Sequence, residues 1–416
     1  MRITPFRGYR YGVGRERDLT KVVAPPYDQI TPAMQEQLYA MSPANIVRVS
    51  YPADRPAPGE TVDKYRRASE TLQAWVRDGV WARETTAAIY PYTQTYRVGG
   101  REVTRAGFVA LGEVSDYARG VVRPHERTHA GPKQDRLRLL DATGADIGLL
   151  FMLTADPQGR LREATAGVGE PIVEARDLRG ELHRLWRLVD PAAIARVQAL
   201  MASAPVIIAD GHHRYETAVE YARRHPECTD KLMAFFTLEA PGLTILANHR
   251  LVHDVPGFSL AQLRDDARRW FDVTPLADPA AFTPTPTRLG VVAGADAAVF
   301  ELRPEAADTI AWPAGTSAAW RRLAVAILHE GLLRPLLGID DAVLEAGSRV
   351  DYTADQDDAI RAARAGRYQA AFLIAPTTPV DLQAVVEGGE LLPQKSTHFY
   401  PKLLDGLVFA RVGDET

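Results

Sequence analysis

The sequence predicts a mixed α/β protein with mixed sheets, and three observations support this fold class. Short apolar runs bounded by Gly or Pro, such as residues 206–209 and 147–153, have the length and composition of buried strands. Residues 62–79 repeat apolar side chains at helical spacing and end on Gly. Residues 87–96 and 102–111 flank a Gly-Gly pair, which is typical of a β-hairpin.

Further elements follow from local signals along the chain. Thr31 followed by Pro32 predicts a capped helix start. The β-branched residues at 45–51 predict a strand, and the leucines at 135–143 predict a helix. We expect another helix at residues 319–337 and a buried strand at residues 368–374, and we place both in the last third of the chain.

The composition is that of an ordinary globular protein. The chain has 416 residues, of which 46% are hydrophobic, and its length suits two or three domains. A net charge of −4 argues against a general nucleic-acid or membrane surface. No apolar run reaches the roughly 18 residues of a membrane span, and we find no signal-peptide core. One cysteine excludes an intramolecular disulfide. We therefore expect a cytoplasmic protein without nucleic-acid or membrane partners, and leave open whether it forms a homo-oligomer.

Element order and composition divide the chain into three expected regions. Residues 1–115 form an N-terminal α/β region, and residues 116–255 form a central region. Residues 256–416 form a C-terminal α/β region, whose first part is rich in Ala, Pro, Thr and Asp.

The run VIIADGHHRYETAVEYARR at residues 206–224 predicts a strand, a tight turn and a helix. Gly211 allows the turn because it tolerates backbone angles that a side chain forbids. In this setting the first N–H groups of the helix point at an anion. His212, His213 and Arg214 add donors suited to phosphate oxygens, and such cations oppose the helix dipole unless an anion lies nearby. The pattern indicates a phosphate-binding turn.

Three other polar clusters accompany this turn. They are Tyr27-Asp28 after a Pro-Pro pair, the Pro- and Gly-containing residues 123–136, and residues 395–402. Phosphoryl transfer needs such a set, with cations on the phosphates, a carboxylate for Mg²⁺ and another carboxylate to orient the hydroxyl. Hydrolysis or nucleotide sensing uses much the same groups, so the residues alone leave these alternatives open.

These motifs resemble two known groups of proteins. ADGHHRYETA at residues 209–218, with RPHE at 123–126, GPKQDRL at 131–137, NHRLV at 248–252 and KSTHFYPK at 395–402, resembles the domain-of-unknown-function 1015 family nearly end to end. The central box also resembles the D-G-H-x-R box of the ParB/sulfiredoxin superfamily, which includes ParB CTPases, sulfiredoxins and free serine kinases. The resemblance implies a ParB/sulfiredoxin-like nucleotide-binding core elaborated by further α/β segments.

The superfamily resemblance also implies roles for residues of the box. Gly211, His212, His213 and Arg214 would contact phosphates, and Asp210 would lie near Mg²⁺. A sulfiredoxin needs a Cys where the two histidines stand, and ParB proteins follow the box with a DNA-binding helix-turn-helix rather than strands. The favoured interpretation is therefore a small-molecule kinase that uses ATP or ADP and Mg²⁺ on a hydroxylated metabolite such as free L-serine.

The remaining assignments come from the polar clusters. We expect Glu126 to be the catalytic base, with Asp28 as the second choice and Asp210 as catalytic and metal-binding carboxylate. Further phosphate-binding residues are expected at Arg123, His125, Lys133 and Arg136. Substrate-binding residues are expected at Tyr27, Asn248, Arg250, Lys395, Ser396, Thr397 and Lys402. Two alternatives remain, a nucleotide-binding regulatory protein without catalytic activity and a metal-dependent hydrolase.

Overall fold

The computed structural model describes residues 1–12, 18–54, 62–127 and 131–414. The chain forms two compact units. Unit 1 comprises Met1–Pro124, Thr128–Leu243 and Pro401–Thr416, and unit 2 comprises His125–Arg127 and Thr244–Tyr400. Both units contain helices and sheets, which confirms the predicted mixed α/β class. The three regions expected from composition remain a prediction. No helix in the described part of the chain is long and apolar enough to cross a membrane.

The elements are numbered in chain order. The strands are β1 (Ile3–Thr4), β2 (Tyr9–Tyr11), β3 (Trp81–Arg83), β4 (Tyr90–Val98), β5 (Arg101–Glu113), β6 (Val122–Arg123), β7 (Ala145–Asp146), β8 (Leu150–Thr154), β9 (Val173–Arg176), β10 (Leu182–Leu185), β11 (Val206–Asp210), β12 (Asp230–Thr237), β13 (Thr244–Leu246), β14 (His249–Val252), β15 (Phe271–Pro275), β16 (Arg288–Ala293), β17 (Asp296–Leu302), β18 (Val350–Thr353), β19 (Ala370–Leu373), β20 (His398–Tyr400) and β21 (Ala410–Arg411). The α-helices are α1 (Pro32–Met41), α2 (Val47–Ser50), α3 (Lys64–Arg77), α4 (Gly131–Thr143), α5 (Arg160–Ala164), α6 (Pro191–Met201), α7 (His212–Arg224), α8 (Leu260–Ala267), α9 (Ala318–Arg321), α10 (Ala324–Leu328), α11 (Arg334–Leu337), α12 (Asp341–Glu345), α13 (Gln356–Arg364) and α14 (Pro379–Glu387).

Unit 1 is built on a sheet of nine described strands. Its order is β6-β11-β8-β12-β5-β4-β10-β9, with β1 paired to β5. β8 runs parallel to β12 and antiparallel to β11, so the sheet is mixed. Every residue of β8 is buried, as expected for a central strand with a continuous apolar sequence. This order places β11, which leads into the turn, second from one edge of the sheet, between the short edge strand β6 and the buried strand β8.

The predicted hairpin is confirmed as β4 and β5. Val98 pairs with Arg101 across a two-residue turn, in which Gly99 and Gly100 have φ values of 55° and 76°. Two successive positive φ values suit the right-handed twist of a hairpin and favour glycine. The predicted helix starting at Pro32 is also present as α1.

Two local predictions needed correction. The strand expected at residues 45–51 is wrong, because this segment contains the helix α2. The side chain of Asn45 accepts a hydrogen bond from the Val47 N–H at 2.9 Å and donates to the carbonyls of Lys21 and Val23, which bends the chain despite its β-branched residues. The helix expected from residue 135 begins earlier, at Gly131, so Lys133 lies on α4 rather than in a loop. Residues 128–130 of the same polar cluster lie outside the described residues.

Unit 2 contains a six-stranded antiparallel sheet, ordered β15-β17-β16-β19-β14-β18, and a separate β13–β20 pair. α13 packs its buried face onto the apolar side of this sheet, against Leu251 and Leu373. The strand predicted at residues 368–374 is present as β19. The helix predicted at residues 319–337 is divided among α9, α10 and α11, with a π-helical turn at His329–Leu333.

Candidate functional site

The strand–turn–helix predicted at residues 206–224 is present as β11, Gly211 and α7. Gly211 has φ of 97°, and a Cβ atom there would lie 2.7 Å from Leu150 Cδ2. Both facts require glycine. The N-cap residue of α7 is this glycine, so no side chain caps the first N–H groups of the helix, and the start of a helix is a position where backbone N–H groups can bind an anion. His212 is buried and His213 half-buried in the first turn of α7.

Asp210 lies between two cations of unit 1. Its Oδ2 accepts a hydrogen bond from Arg214 Nη2 at 2.9 Å, and its Oδ1 accepts one from Lys402 Nζ at 2.8 Å. Burial alone would raise the pKa of Asp210, but Lys402 and Arg214 hold that pKa well below its usual range. The carboxyl group is therefore ionised, and each of its oxygens is engaged in an ion pair within the unit.

Arg214 is buried and connects the turn to the neighbouring strand region. Its Nη1 donates to the carbonyl of Leu149 at 2.7 Å, while its Nη2 binds Asp210. Burial disfavours the charged guanidinium, yet Asp210, Asp28 and Asp405 raise the pKa of Arg214 above its usual value. Arg214 thus donates to protein groups through both terminal nitrogens, whereas the sequence pattern indicates phosphate contact.

Beside this turn, unit 1 has a small cavity of about 70 Å³, below the several hundred Å³ that is usual for small-molecule sites, so a nucleotide would have to extend from it along the surface of the unit. Three cations, two carboxyl groups and a tyrosine line it together with apolar side chains from α4 and α7. We call it the charged cavity, and its polar lining includes Tyr27, Arg136, Asp146, Arg214, Lys231 and Asp405. Tyr27, Arg136 and Arg214 were predicted site residues, and the structure brings these three together.

Asp405 is the most perturbed carboxyl group of the charged cavity. Its side chain is buried, and burial raises the pKa of Asp405 to about 7, although Arg214 and Arg136 act in the opposite direction. A carboxyl group with this pKa gains or loses a proton near neutral pH, which is the property of a general acid or base.

Lys231 and Asp146 form a buried ion pair in the same cavity. Lys231 Nζ contacts an Asp146 oxygen and donates to the carbonyl of Gly148 at 3.0 Å. The other Asp146 oxygen accepts the backbone N–H of Leu232 at 2.6 Å. Burial lowers the pKa of Lys231, and Asp146 counters that effect. This pair joins the start of β12 to β7.

Arg136 and Tyr27 form a stacked pair at the cavity wall. The Arg136 guanidinium lies 4.2 Å from the centroid of the Tyr27 ring, within cation–π range. Arg136 also donates to the carbonyl of Ser50 at 2.6 Å and pairs with Asp135. Burial raises the pKa of Tyr27. Asp28, the next residue, is exposed.

Arg123 and Lys133, two predicted phosphate ligands, are engaged elsewhere in unit 1. Lys133 forms an ion pair with Glu216 on α7. Arg123 lies on β6 and donates to the carbonyl of Gly120 at 3.4 Å. Neither residue is among the described residues that line the charged cavity.

Seven other predicted residues belong to unit 2 and form a second polar group there. His125 Nε2 lies 2.8 Å from Thr397 Oγ1, and Glu126 accepts the backbone N–H of Ser396 at 3.2 Å. Lys395 is exposed and has φ of 57°, a left-handed conformation that is unusual for a residue with a side chain. The group consists of His125, Glu126, Asn248, Arg250, Lys395, Ser396 and Thr397.

Asn248 and Arg250 hold the 394–397 segment through its main chain. Asn248 Nδ2 donates to the carbonyls of Lys395 and Thr397, each at 3.1 Å. Arg250 Nη2 donates to the carbonyls of Gln394 and Lys395, each at 3.2 Å. Arg250 is fully buried, and burial lowers its pKa to about 10. These contacts give the two residues a structural role in unit 2.

The structure therefore divides the predicted site residues between the units. Asp28, Arg214 and Lys402 belong to unit 1, and Glu126 and Lys395 belong to unit 2. Sequence reasoning missed Asp146, Lys231 and Asp405. In the sequence, each of these three residues is a single charged residue beside or inside an apolar run. The same pattern indicated residues 248–250 as candidate site residues.

The chain belongs to the family described as "Protein of unknown function (DUF1015)", whose model matches residues 3–326. The match confirms the family resemblance, and the family description names no activity. No curated protein matches the chain.

Several solved structures resemble parts of the chain. A conserved hypothetical protein from Pyrococcus furiosus is 11% identical with a TM-score of 0.37, covering 69% of this chain and 90% of its own. A free serine kinase mutant in complex with ADP is 10% identical with a TM-score of 0.37, covering 67% of this chain and 84% of its own. C-terminally truncated SbnI from Staphylococcus aureus is 11% identical with a TM-score of 0.34, covering 71% and 85%. At these TM-scores the likeness establishes neither a shared fold nor a shared activity.

Proposed function

We propose that this member of the DUF1015 family is a phosphotransferase, which moves a phosphoryl group from ATP or ADP to a hydroxylated small molecule such as free L-serine. The observation that carries this function is the charged cavity of unit 1, which lies beside the glycine turn that begins α7. Phosphoryl transfer is catalysed mainly by positioning and by positive charge around the phosphates. Arg136, Arg214 and Lys231 supply that charge.

The glycine turn supplies a second kind of phosphate donor. The N-terminus of α7 carries the positive end of the helix dipole, and Gly211 lets the backbone come close to a ligand. His212 and His213 occupy the first turn of the same helix. Phosphate oxygens bound at this turn would lie beside the cations of the cavity.

The residues present also fit a Mg²⁺ ion. Asp210 is ionised and, since a carboxylate offers about four lone-pair sites, it retains acceptor capacity beyond its bonds to Arg214 and Lys402. Mg²⁺ in nucleotide sites is held by one or two carboxylates together with phosphate oxygens and water. When bound, the ion would neutralise charge on the phosphates.

Asp405 is our candidate for the catalytic base. In the reaction, the substrate hydroxyl oxygen bonds to the terminal phosphorus, the bond from that phosphorus to the nucleotide breaks, and the hydroxyl proton passes to Asp405. A pKa near 7 suits this transfer, because the base must accept the proton at neutral pH and release it afterwards. Asp28 is the second candidate, and Glu126 instead accepts the Ser396 N–H within unit 2.

The test is a product assay with matched variants of the full-length protein. Serine, ATP or ADP and Mg²⁺ are incubated with the protein, and phosphoserine is measured by ³¹P NMR and mass spectrometry. We expect product with wild type and with Arg138→Ala, an exposed arginine two residues further along α4. We expect at least a tenfold loss with Arg136→Ala, which removes a cation from the cavity. If a panel of hydroxylated acceptors gives no phosphorylated product with either nucleotide, the kinase assignment is overturned.

A second function is favoured by the state of Asp210. Both oxygens of Asp210 already accept hydrogen bonds, one from Arg214 and one from Lys402. A carboxylate held in this way would shape a binding site without taking part in a reaction. The alternative is a regulatory protein that binds nucleotide without phosphoryl transfer. It would show calorimetric binding of ADP that Arg136→Ala weakens, and no turnover of nucleotide with any acceptor.

A further inference from the structure

A cluster of metal-ligating side chains lies in unit 1 at the turn between β9 and β10, outside the charged cavity. The two strands are antiparallel, with Arg176 paired to Leu182, and Asp177 and Glu181 lie at the two sides of the turn. Asp177 Oδ1 accepts the backbone N–H groups of Arg179 at 2.8 Å and Glu181 at 2.9 Å. The Asp177 side chain is thereby fixed in the turn.

Three different side chains converge at this turn. Oxygens of Asp177 and Glu181 and a ring nitrogen of His183 all lie within 4.8 Å of one another. Glu181 is only 6% exposed and His183 is 0% exposed, while Asp177 is half-buried. Exposed acidic residues often lie close together without binding an ion. Burying two acidic side chains and an imidazole costs free energy unless hydrogen bonds or a ligand replace the lost hydration.

The hydrogen bonds of His183 leave one of its nitrogens without a partner. Nδ1 lies 2.7 Å from the hydroxyl of Tyr92, whereas Nε2 has no hydrogen-bond partner among the residues that the structure describes. A buried polar atom without a partner costs free energy, and a bound ion or water is one way to satisfy it.

We propose that Asp177, Glu181 and His183 bind a divalent transition-metal ion. Zn²⁺ and Mn²⁺ match this donor set, since imidazole nitrogen suits zinc and carboxylate oxygen suits both ions. Tyr92 is a positioning residue, because its contact with Nδ1 fixes the ring and directs Nε2 to the ion. Three protein ligands would leave a fourth coordination position of the ion for water.

The charges around the cluster agree with a bound cation. The side chains of Asp177 and Glu181 also form a hydrogen bond with each other, so the two acidic groups meet at this turn. Arg105 is a buried cation whose charge acts on Glu181, and its Nη2 donates to the carbonyl of Pro401 at 2.7 Å while its Nε donates to Gln94 at 3.1 Å. A divalent ion held by Asp177, Glu181 and His183 would place positive charge directly beside the two acidic groups.

Calorimetric titration of the full-length, chelator-treated protein with Zn²⁺ and with Mn²⁺ tests this site without any nucleotide. We expect one ion per chain. Asp177→Asn should abolish binding, and Tyr92→Phe should weaken it by roughly 10–100-fold, as measured for residues that orient metal ligands. Glu174→Gln is the matched control, because Glu174 lies on the same hairpin and pairs with the surface residue Arg184.

Two results would overturn the site. One is that wild type takes up neither ion, and the other is that Asp177→Asn binds as tightly as wild type. The test substitutes Asp177 and Tyr92 rather than the fully buried His183, because Asp177 is half-buried and Tyr92→Phe removes a single oxygen atom, so both variants keep the fold. The readout is metal binding alone, so the result is independent of whether the charged cavity transfers phosphate.

Discussion

The buried carboxyl group of Asp405 gives the sharpest quantitative prediction. Burial raises the pKa of Asp405 from 3.8 to about 7 in the folded protein. Between about pH 4 and pH 7 the folded state therefore keeps a proton that the unfolded state has released, so the stability contributed by this group falls as pH rises through that window. At 1.36 kcal/mol per pKa unit, the whole effect is roughly 4 kcal/mol.

Asp405→Asn removes this pH dependence, because asparagine has the same size and no charge to bury. Below about pH 4 the carboxyl group is neutral in both the folded and the unfolded wild type, so the two proteins should have similar free energies of unfolding there. At pH 5 the folded wild type is still neutral, but its unfolded state is already ionised, so the smaller part of the effect is present. At pH 8 the wild type must bury a carboxylate. The variant should therefore gain a further ~3 kcal/mol on wild type between pH 5 and pH 8.

The measurement is urea unfolding of the full chain at both pH values, followed by tryptophan fluorescence. Glu70→Gln, which removes an exposed carboxyl group on α3, is the control and should show no such gain. If the free-energy difference between Asp405→Asn and wild type is the same at pH 5 and pH 8, Asp405 does not carry a raised pKa. If Asp405 is a functional carboxyl group, Asp405→Asn should be more stable than wild type at pH 8 and should lose phosphotransfer activity.

Three further predictions concern the turn and unit 2. Gly211→Ala should lower the free energy of unfolding by about 1–2 kcal/mol or more in urea. The reason is that φ of 97° is strained for alanine and that its Cβ would lie 2.7 Å from Leu150 Cδ2. An unchanged urea midpoint would contradict this reason. Asp210→Asn should cost roughly 3 kcal/mol at pH 7 by leaving Arg214 and Lys402 without their carboxylate. Since the pKa of Asp210 is lowered in the folded protein, that cost should shrink below about pH 4, where the carboxyl group of the unfolded wild type becomes protonated while that of the folded protein stays ionised; a pH-independent cost would argue against the ion pairs. Arg250→Met should raise the rate of amide hydrogen exchange around residues 394–397, because Arg250 donates hydrogen bonds to the carbonyls of Gln394 and Lys395. The exchange rate in α7 should stay unchanged. Equal changes in both regions would indicate general destabilisation instead.

The central part of the candidate site was predictable because its signals are local. An apolar run, a glycine and a helical repeat within residues 206–224 determine β11, the turn and α7, and the bounds agree with the structure. The need for Gly211 also follows from sequence, since a strand that turns directly into a helix requires an unusual backbone angle.

The charged cavity was not predictable in the same way, because its members meet through tertiary contacts. Lys231 and Asp146 are 85 positions apart, and each is a single charge beside apolar residues. Asp405 lies within the apolar run 403–408, where a lone acidic residue indicates either a turn or a buried charge. Only the pairing of β7 and β21, and of β8 and β12, brings these elements together.

The two carboxyl groups next to Arg214 have their pKa values shifted in opposite directions. That of Asp210 is lowered because Lys402 and Arg214 contact its oxygens, and that of Asp405 is raised because burial outweighs the nearby cations. Opposite shifts of this kind separate the roles of acid–base pairs in enzymes. Stability alone would favour apolar residues over such buried charges. If the cavity transfers phosphate, its rate should therefore rise with pH around an apparent pKa near 7, set by Asp405, with Asp210 ionised throughout. Asp405→Asn should remove that rise, whereas loss of activity without a change in the pH profile would assign the base to another group.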